Sequence, residues 1–411
     1  MSGKMNRHEE PIWITGVGVC TPLGEDFDST ANALLNGKSQ VRDINLFLTE
    51  NHSTKFASFL TSIPNSASIP PDRFAQCTKQ EQLALYCMDK ALESAGLTGD
   101  LSKKTIGVAM GVGPDWLQAW ERDYYAGGQA ITQVGREARP GWDFAREILG
   151  VPGPCMQLSA ACASGNQTLI FASHWLKMGL VDYCLAGSCA INVTPITLAT
   201  FGNLRALSRR NETPKSASRP FDLKRDGFVL GEGGALLVLE KKTTAVRRGA
   251  KPFAEFLGGG NTSDAHHMVI PNPEAKFAEE AIRKSLSNSK VNPEEIDYIN
   301  AHGTSTPVGD IGEAKAIQNA FGELAKTIPV SSTKSMTGHL LAAASAIEAV
   351  ACLAALNRQA IPPTLNLEEP DPQCRLFHVA NTAMEKKIDR VLSNSFGFGG
   401  SNSCVVFGKA R

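Results

Sequence analysis

The stretch Ser159-Ala160-Ala161-Cys162-Ala163-Ser164-Gly165 joins a thiol to surroundings that suit a nucleophile. A β-like run leads into small residues, then a cysteine, then a helical pattern. Small flanks let a substrate and neighbouring backbone approach the sulfur closely. A helix N-terminus adds positive potential and free N–H groups, which depress a thiol pKa and can hold an oxyanion. A buried structural cysteine suits the same setting, so the motif alone leaves both readings open. Cysteine chemistry needs polar partners, and two histidines stand in matching places. His302 lies in Asn300-Ala301-His302-Gly303-Thr304-Ser305-Thr306-Pro307, a hydroxyl-rich turn after a strand. His339 closes Thr333-Lys334-Ser335-Met336-Thr337-Gly338-His339, at the start of a long helical pattern. Gly-flanked strand-to-helix turns are where α/β folds build sites. His8, His52, His174, His266, His267 and His378 lack such a setting, although His267 could stand behind a site. Asn394 to Asn402 (NSFGFGGSN) sets three glycines around two aromatics. That describes a loop that moves a ring or presents backbone N–H groups, or else a plain hairpin.

Spacing disfavours other chemistries. The ten cysteines form no C-x-x-C pair and no H-E-x-x-H or His–carboxylate spacing occurs, so no metal site is signalled. Gly16-Val17-Gly18-Val19-Cys20-Thr21 lacks the third glycine of a dinucleotide fingerprint, and no G-x-S-x-G elbow is present. Forty-one basic and 41 acidic residues give zero net charge, which argues against a dedicated nucleic-acid binder. With 42% hydrophobic and 20% charged residues the composition is that of a soluble globular protein. The opening MSGKMNRHEEP is polar and partly acidic, unlike a secretory signal, so a reduced, cytoplasmic chain is expected. The run Leu340 to Leu356 is interrupted by Glu348 and falls short of the ~20 residues of a membrane span. It is expected to be a buried core helix.

The positioning elements follow an alternating rhythm. Strands are expected at Ile12 to Val19, Thr105 to Met110, Cys155 to Leu158, Asp182 to Ala186 and Ala235 to Leu239. Helices are expected at Glu81 to Ala95 and Ala163 to Met178. After a composition shift near residue 245 the pattern recurs. Strands fall at Phe253 to Leu257, Ile296 to Asn300, Ile328 to Ser331, Val391 to Ser393 and Cys404 to Phe407. Helices fall at Glu274 to Leu286, Glu313 to Phe321 and, as one long element, Ser335 to Leu356. Such alternation indicates buried sheets covered by helices, in two copies of one plan.

From about Trp13 to Phe407 these segments resemble the β-ketoacyl-[acyl-carrier-protein] synthases, most closely the elongating type II enzymes of bacterial fatty-acid synthesis. The likeness rests on the Cys162 motif, HGTSTPVGD (His302 to Asp310), STKSMTGHLLAAASAIEA (Ser332 to Ala349), NSFGFGGSN, and the segment Arg205 to Gly234. It implies an α/β, thiolase-like fold of two pseudo-symmetric halves in a layered α-β-α-β-α arrangement. Residues 1–245 would carry the nucleophile, and residues 246–411 both histidines and the gating loop. The implied reaction is acyl transfer from a carrier-protein thioester to Cys162, then decarboxylative Claisen condensation with malonyl-carrier protein. The resemblance makes Cys162, His302 and His339 catalytic, with Lys334, Glu348 and Asp310 supporting them. Cys162 and Phe398 would supply oxyanion-hole N–H groups, and Phe398 with Gly397, Gly399 and Gly400 would gate the pocket. Thr304 and Thr306 would bind the phosphopantetheine arm, with Phe396, Pro114 and Trp116 also lining the substrate site. Arg205, Arg73 and Lys79 (with Arg209 and Arg210 nearby) would face an acidic carrier protein. No cofactor of the chain's own and a homodimer are implied. The alternatives are a polyketide-type ketosynthase or a non-catalytic chain-length partner in a heterodimer. Departures bear on the substrate: Ala342 and Ser345 replace glycines usual in elongating members. The Gly111–Cys162 segment is shortened, and Pro114 and Trp116 stand where small or aliphatic residues are usual.

Overall fold

The computed structural model describes residues 10–114, 116–128 and 147–411, and of residue 116 only the backbone. The opening segment, the Trp116 side chain and much of the shortened stretch before Cys162 lie outside the described residues.

The first half holds β1 (Ile12–Cys20), a short pair β2 (Arg42–Asp43) and β3 (Phe56–Ala57), β4 (Ile106–Gly111), β5 (Cys155–Leu158), β6 (Tyr183–Ala190) and β7 (Gly233–Lys241). The second holds β8 (Ala254–Ser263), β9 (Tyr298–Asn300), β10 (Pro329–Ser331), β11 (Ala360–Ile361), β12 (Phe377–His378), β13 (Met384–Glu385), β14 (Arg390–Gly397) and β15 (Ser401–Gly408). Eleven of them form one mixed sheet, ordered β12-β10-β9-β14-β15-β8-β1-β7-β6-β4-β5. The order contains the same block twice. In β1-β7-β6-β4-β5 the successive pairings are antiparallel, antiparallel, parallel, parallel, and β8-β15-β14-β9-β10 repeats them. A three-residue antiparallel contact between β1 and β8 joins the blocks.

Helices Ser164–Met178, after β5, and Ala344–Arg358, after β10, touch each other and strands of both blocks. Outside them, Lys79–Ser94 packs on β1, β7 and β6, and Lys276–Ser289 on β8 and β15. The result is five layers, α-β-α-β-α, with this helix pair in the middle; the second helix is buried from Ala344 to Leu356, while the first exposes Phe171, Lys177 and Met178.

Local sequence explains the fit. Thr78 caps the helix Lys79–Ser94, and Glu81 closes the capping box. That helix lies so close to β1 that a Cβ on Gly16 or Gly18 would stand 2.2 Å or 1.9 Å from a helix carbonyl. The glycine pair that imitates a nucleotide motif therefore serves helix–strand packing. Gly165 does the same for the central pair, since its Cβ would fall 2.6 Å from the Ala346 nitrogen.

The structure corrects one expected element. The run from Ser335 to Leu356 is not one helix. A short helix Lys334–Thr337 ends at Gly338 (φ 69°), the chain turns through Leu341 (φ 52°), and a 3₁₀ turn Leu341–Ala343 leads into Ala344–Arg358. Tertiary pairing overrides helical bonding here: His339 N donates to Val229 O at 2.7 Å, and Gly231 N to His339 O at 2.9 Å. The apolar stretch Leu341–Arg358 has the length and composition of a membrane span, but 89% of it is buried in the core.

Candidate functional site

Cys162 sits at the end of a tight turn between β5 and the helix Ser164–Met178. Ala161, just before it, takes φ 49°, a conformation that costs a non-glycine residue of order 1–3 kcal/mol and turns Cys162 toward the cavity. Ser164 braces the turn, its Oγ donating to Ala161 O at 2.6 Å and accepting from Ala160 N at 2.9 Å.

The two histidines meet this sulfur. Cys162 Sγ and one ring nitrogen each of His302 and His339 lie within 4.8 Å of one another, and all three residues are buried. Sγ is 3.1 Å from His339 Nε2, and the two imidazole centroids are 5.4 Å apart. Leu341 N donates to His339 Nδ1 at 3.3 Å, so a neutral His339 carries its proton on Nε2. Lys334 Nζ faces His302 Nδ1 at 3.1 Å and donates to His302 O at 2.6 Å, which sets the same tautomer on His302. Burial first, then Lys334, hold both imidazoles well below the usual histidine range, with His339 adding to the effect on His302. The site thus presents two neutral Nε2–H donors beside the sulfur. Metal coordination through Nε2 would need the opposite tautomer.

Lys334 is itself buried and paired with Glu348 on the central helix. Burial outweighs Lys334 and pushes the Glu348 carboxyl up to about 7. The thiol departs from expectation. The helix N-terminus was expected to depress its pKa, yet burial pushes Cys162 up to about 11, against the lowering by Lys334 and by the N–H groups of Phe398 and Cys162. Desolvation of an almost enclosed sulfur is the larger effect.

These groups open into a cavity of about 640 Å³ with a mainly apolar lining. Pro114, Thr304, Thr306, Phe396, Gly397, Phe398, Gly400 and Arg205 all line it, as expected of substrate, gate and rim residues. So does Ala342, whose Cβ lies 3.2 Å from where a Gly113 Cβ would stand. The glycine-rich motif is largely strand: β14 and β15 pair from Gly397↔Ser401 outward, leaving Phe398–Gly400 as the tip. Its glycines do different things. Gly397 lets the strand approach the nucleophile turn (a Cβ would lie 2.9 Å from Ala160 O), and Gly399 takes φ 78° in open space. Thr304 and Thr306 share a 2.9 Å hydroxyl contact, and Thr306 also caps the helix Pro307–Phe321. Asp310, on that helix, accepts from Ser305 N, Phe221 N and Thr304 Oγ1.

Three docking residues separate. Arg205 is exposed at the cavity, and Arg73 is exposed on the short helix Pro71–Ala75, outside the cavity lining. Lys79 is engaged with the Leu60 carbonyl at 2.7 Å and with buried Glu232 at 3.2 Å, so it braces the first half. His267 is exposed, its Nδ1 accepting from Val269 N and Ile270 N. Ser345 Oγ accepts from Asn166 N at 3.1 Å, so this departure ties the central helices together.

Some residues at the site carry no sequence signal of their role. Glu313 accepts from the N–H groups of His302 (2.8 Å) and Gly303 (2.6 Å) and from Asn394, and burial pushes it up to about 7. The Phe228 ring stands edge-on to His339 at 5.1 Å, and Phe201 packs on Phe398 at 6.1 Å. Asp264 ties its loop to the tip through Gly400 and Asn402.

The β-ketoacyl synthase N-terminal domain model matches residues 9–245, and the C-terminal domain model matches 253–368. The chain belongs to the β-ketoacyl synthase family. It is 38% identical to 3-oxoacyl-[acyl-carrier-protein] synthase 2 of Coxiella burnetii, covering 97% of this chain and 98% of that one. It is 35% identical to the tetracenomycin polyketide synthase ketoacyl synthase alpha subunit of Streptomyces glaucescens, covering 99% of both. A β-ketoacyl synthase from Burkholderia phymatum has the same fold, with TM-score 0.88 at 34% identity over 98% of this chain and all of that one. A type II polyketide ketosynthase solved with its acyl-carrier protein superposes with TM-score 0.86 at 30% identity, over 98% and 100%. These neighbours establish the thiolase-like α/β fold of this family member.

Proposed function

We propose that the chain is a 3-oxoacyl-[acyl-carrier-protein] synthase working in fatty-acid or specialised lipid synthesis. The observation that carries this reading is the pair of neutral Nε2–H donors converging on a buried cysteine. In the first half-reaction the Cys162 sulfur attacks a carrier-bound thioester. The carbonyl oxygen takes N–H bonds from Cys162 and Phe398, and the carrier thiol leaves with the cysteine's proton. Burial raises the thiol above its ordinary range, so the proton stays on the sulfur of the free enzyme near neutral pH. The His339 donor and the Lys334 charge favour the thiolate once it forms.

In the second half-reaction malonyl-carrier protein loses CO₂, and its thioester oxygen becomes an enolate held by His302 and His339. The enolate carbon attacks the acyl-Cys162 carbonyl, the C–S bond breaks, and the returning thiolate takes a proton. Lys334 and Glu348 keep His302 in its donor tautomer, and Glu313 fixes its backbone. Thr304 and Thr306 receive the phosphopantetheine arm, Phe398 gates the cavity, and Pro114 with Trp116 limits chain length. Arg205 is the rim charge for an acidic carrier protein.

We further propose a domain boundary at residue 245, a homodimer and a cytoplasmic location, with no cofactor beyond the carrier's own arm. A polyketide-type ketosynthase would use the same steps, and relatives of both kinds match at 35–38% identity. A non-catalytic chain-length partner would have no use for Cys162, His302 and His339 together. Incubation with acyl- and malonyl-carrier proteins should yield a 3-oxoacyl-carrier protein by intact mass. Recovery of both substrates unchanged from a panel of chain lengths would overturn the reading.

A further inference from the structure

The segment Arg225 to Gly231 belongs to the first half, yet it is bonded to both reactive turns of the second. Arg225 is buried, and each of its three guanidinium nitrogens has a fixed partner. Nε donates to Thr306 O at 3.0 Å, Nη2 to Pro307 O at 2.8 Å, and Nη1 to Asp222 O and Asp371 Oδ2 at 2.8 Å each. Its Nε also stands 3.6 Å from Asp310 Oδ2, the carboxylate that takes Ser305 N. Two residues on, Gly227 N donates to Ser305 O at 3.0 Å. Further along, Val229 and Gly231 hold His339 on both sides of its peptide unit. The threonine turn needs this bracing, because Ser305 takes φ 67° between Thr304 and Thr306. A non-glycine residue stays in that region only where its surroundings over-determine it.

We infer that Arg225 is a positioning residue for the carrier's phosphopantetheine arm. Its planar fork fixes the Thr306 and Pro307 carbonyls, and through Asp310 it fixes the Thr304 hydroxyl, so both hydroxyls face the cavity ready-oriented. The inference rests on the carrier-thioester reading. Arg225 touches no reacting atom, so its loss should weaken binding of the arm rather than the chemistry.

Arg225→Lys tests this while leaving a positive charge opposite Asp310 and Asp371. A single ammonium cannot span the two carbonyls and the carboxylate together. Decarboxylation of malonyl-acyl-carrier protein and of malonyl S-ethyl thioester, which has no arm, would be followed side by side. The expected result is a KM for the carrier substrate raised about tenfold with kcat changed less than about threefold. The S-ethyl thioester should lose at most about twofold in kcat/KM. Asp371→Asn, which unlatches the same fork, should shift the ratio in the same direction by less, and it serves if Arg225→Lys does not fold. Parallel losses on both substrates, or an unchanged carrier KM, would overturn the role of Arg225. If the wild type shows no preference for the carrier substrate over the S-ethyl thioester, the carrier-thioester reading itself fails.

Discussion

The turn after β5 and the turn after β10 occupy equivalent places in the two blocks, and they have been put to opposite uses. The first is short, running from Ser159 to Ala163, and presents one thiol directly from the start of the central helix. The second takes twelve residues, 332 to 343, to reach its central helix, and in that span it places Lys334 and His339. The turns after β4 and β9 differ in the same way. One lines the cavity with Gly113 and Pro114, the other with His302, Thr304 and Thr306. A repeated scaffold brings four strand ends together. One copy then supplies the nucleophile and apolar wall, and the other supplies the hydrogen-bond donors. The extra chain of the second turn serves both imidazoles: it carries His339, and it supplies Lys334 to the second nitrogen of His302, which itself stands only two residues past β9.

Removing the donors should have the largest effect. His302→Ala or His339→Ala is expected to lower decarboxylative condensation by roughly 10²–10³-fold, as for loss of an oxyanion donor. Acyl transfer to Cys162 should fall much less, which single-turnover acylation would show. Equal losses in both half-reactions would erase the division of labour between the turns. The contact between the two central helices comes next. Gly165→Ala puts a Cβ 2.6 Å from Ala346 N and 2.8 Å from Ser345 Oγ. Overpacking of that kind should destabilise the fold by about 1–3 kcal/mol in a denaturant titration. No loss of stability would mean that the halves are not locked there.

The smallest effect is spectroscopic. With both imidazole values lowered chiefly by burial, protons bind only well below the usual 6.5, so the neutral donor form persists as pH falls from 8 to 6. Nitrogen-15 spectra of labelled histidine should keep the Nε2–H pattern for both residues across that range. An imidazolium signal growing in near 6.5 would sharpen the comparison the other way, showing a wetter, more open second turn.

Much of this was legible in the sequence, and the failures have physical causes. Cys162, His302 and His339 stand out because small residues and glycines surround them at strand ends. The alternating strands and helices were visible through their apolar runs. The break at Gly338 was hidden, because an Ala-rich stretch reads as continuous helix and the bonds from Val229 and Gly231 come from far along the chain. Glu313 looked like one more carboxylate on a helix, since its partners are backbone N–H groups that any sequence offers. Lys79 read as a surface charge because its buried partner, Glu232, lies 153 residues away. The thiol was expected to be acidic from its helix alone, and only the packed structure shows how completely burial opposes that.

The central claim is that Cys162 is where the acyl group rests between the half-reactions. Mass mapping of the protein after exposure to an acyl-carrier protein, without malonyl substrate, tests it most directly. The account predicts one acyl adduct, placed on Cys162 and not on Cys155 by fragmentation of the stretch that holds both, and discharged when malonyl-carrier protein is added. An adduct on Cys155 or Cys189, or one on Cys162 that malonyl-carrier protein cannot discharge, would contradict it.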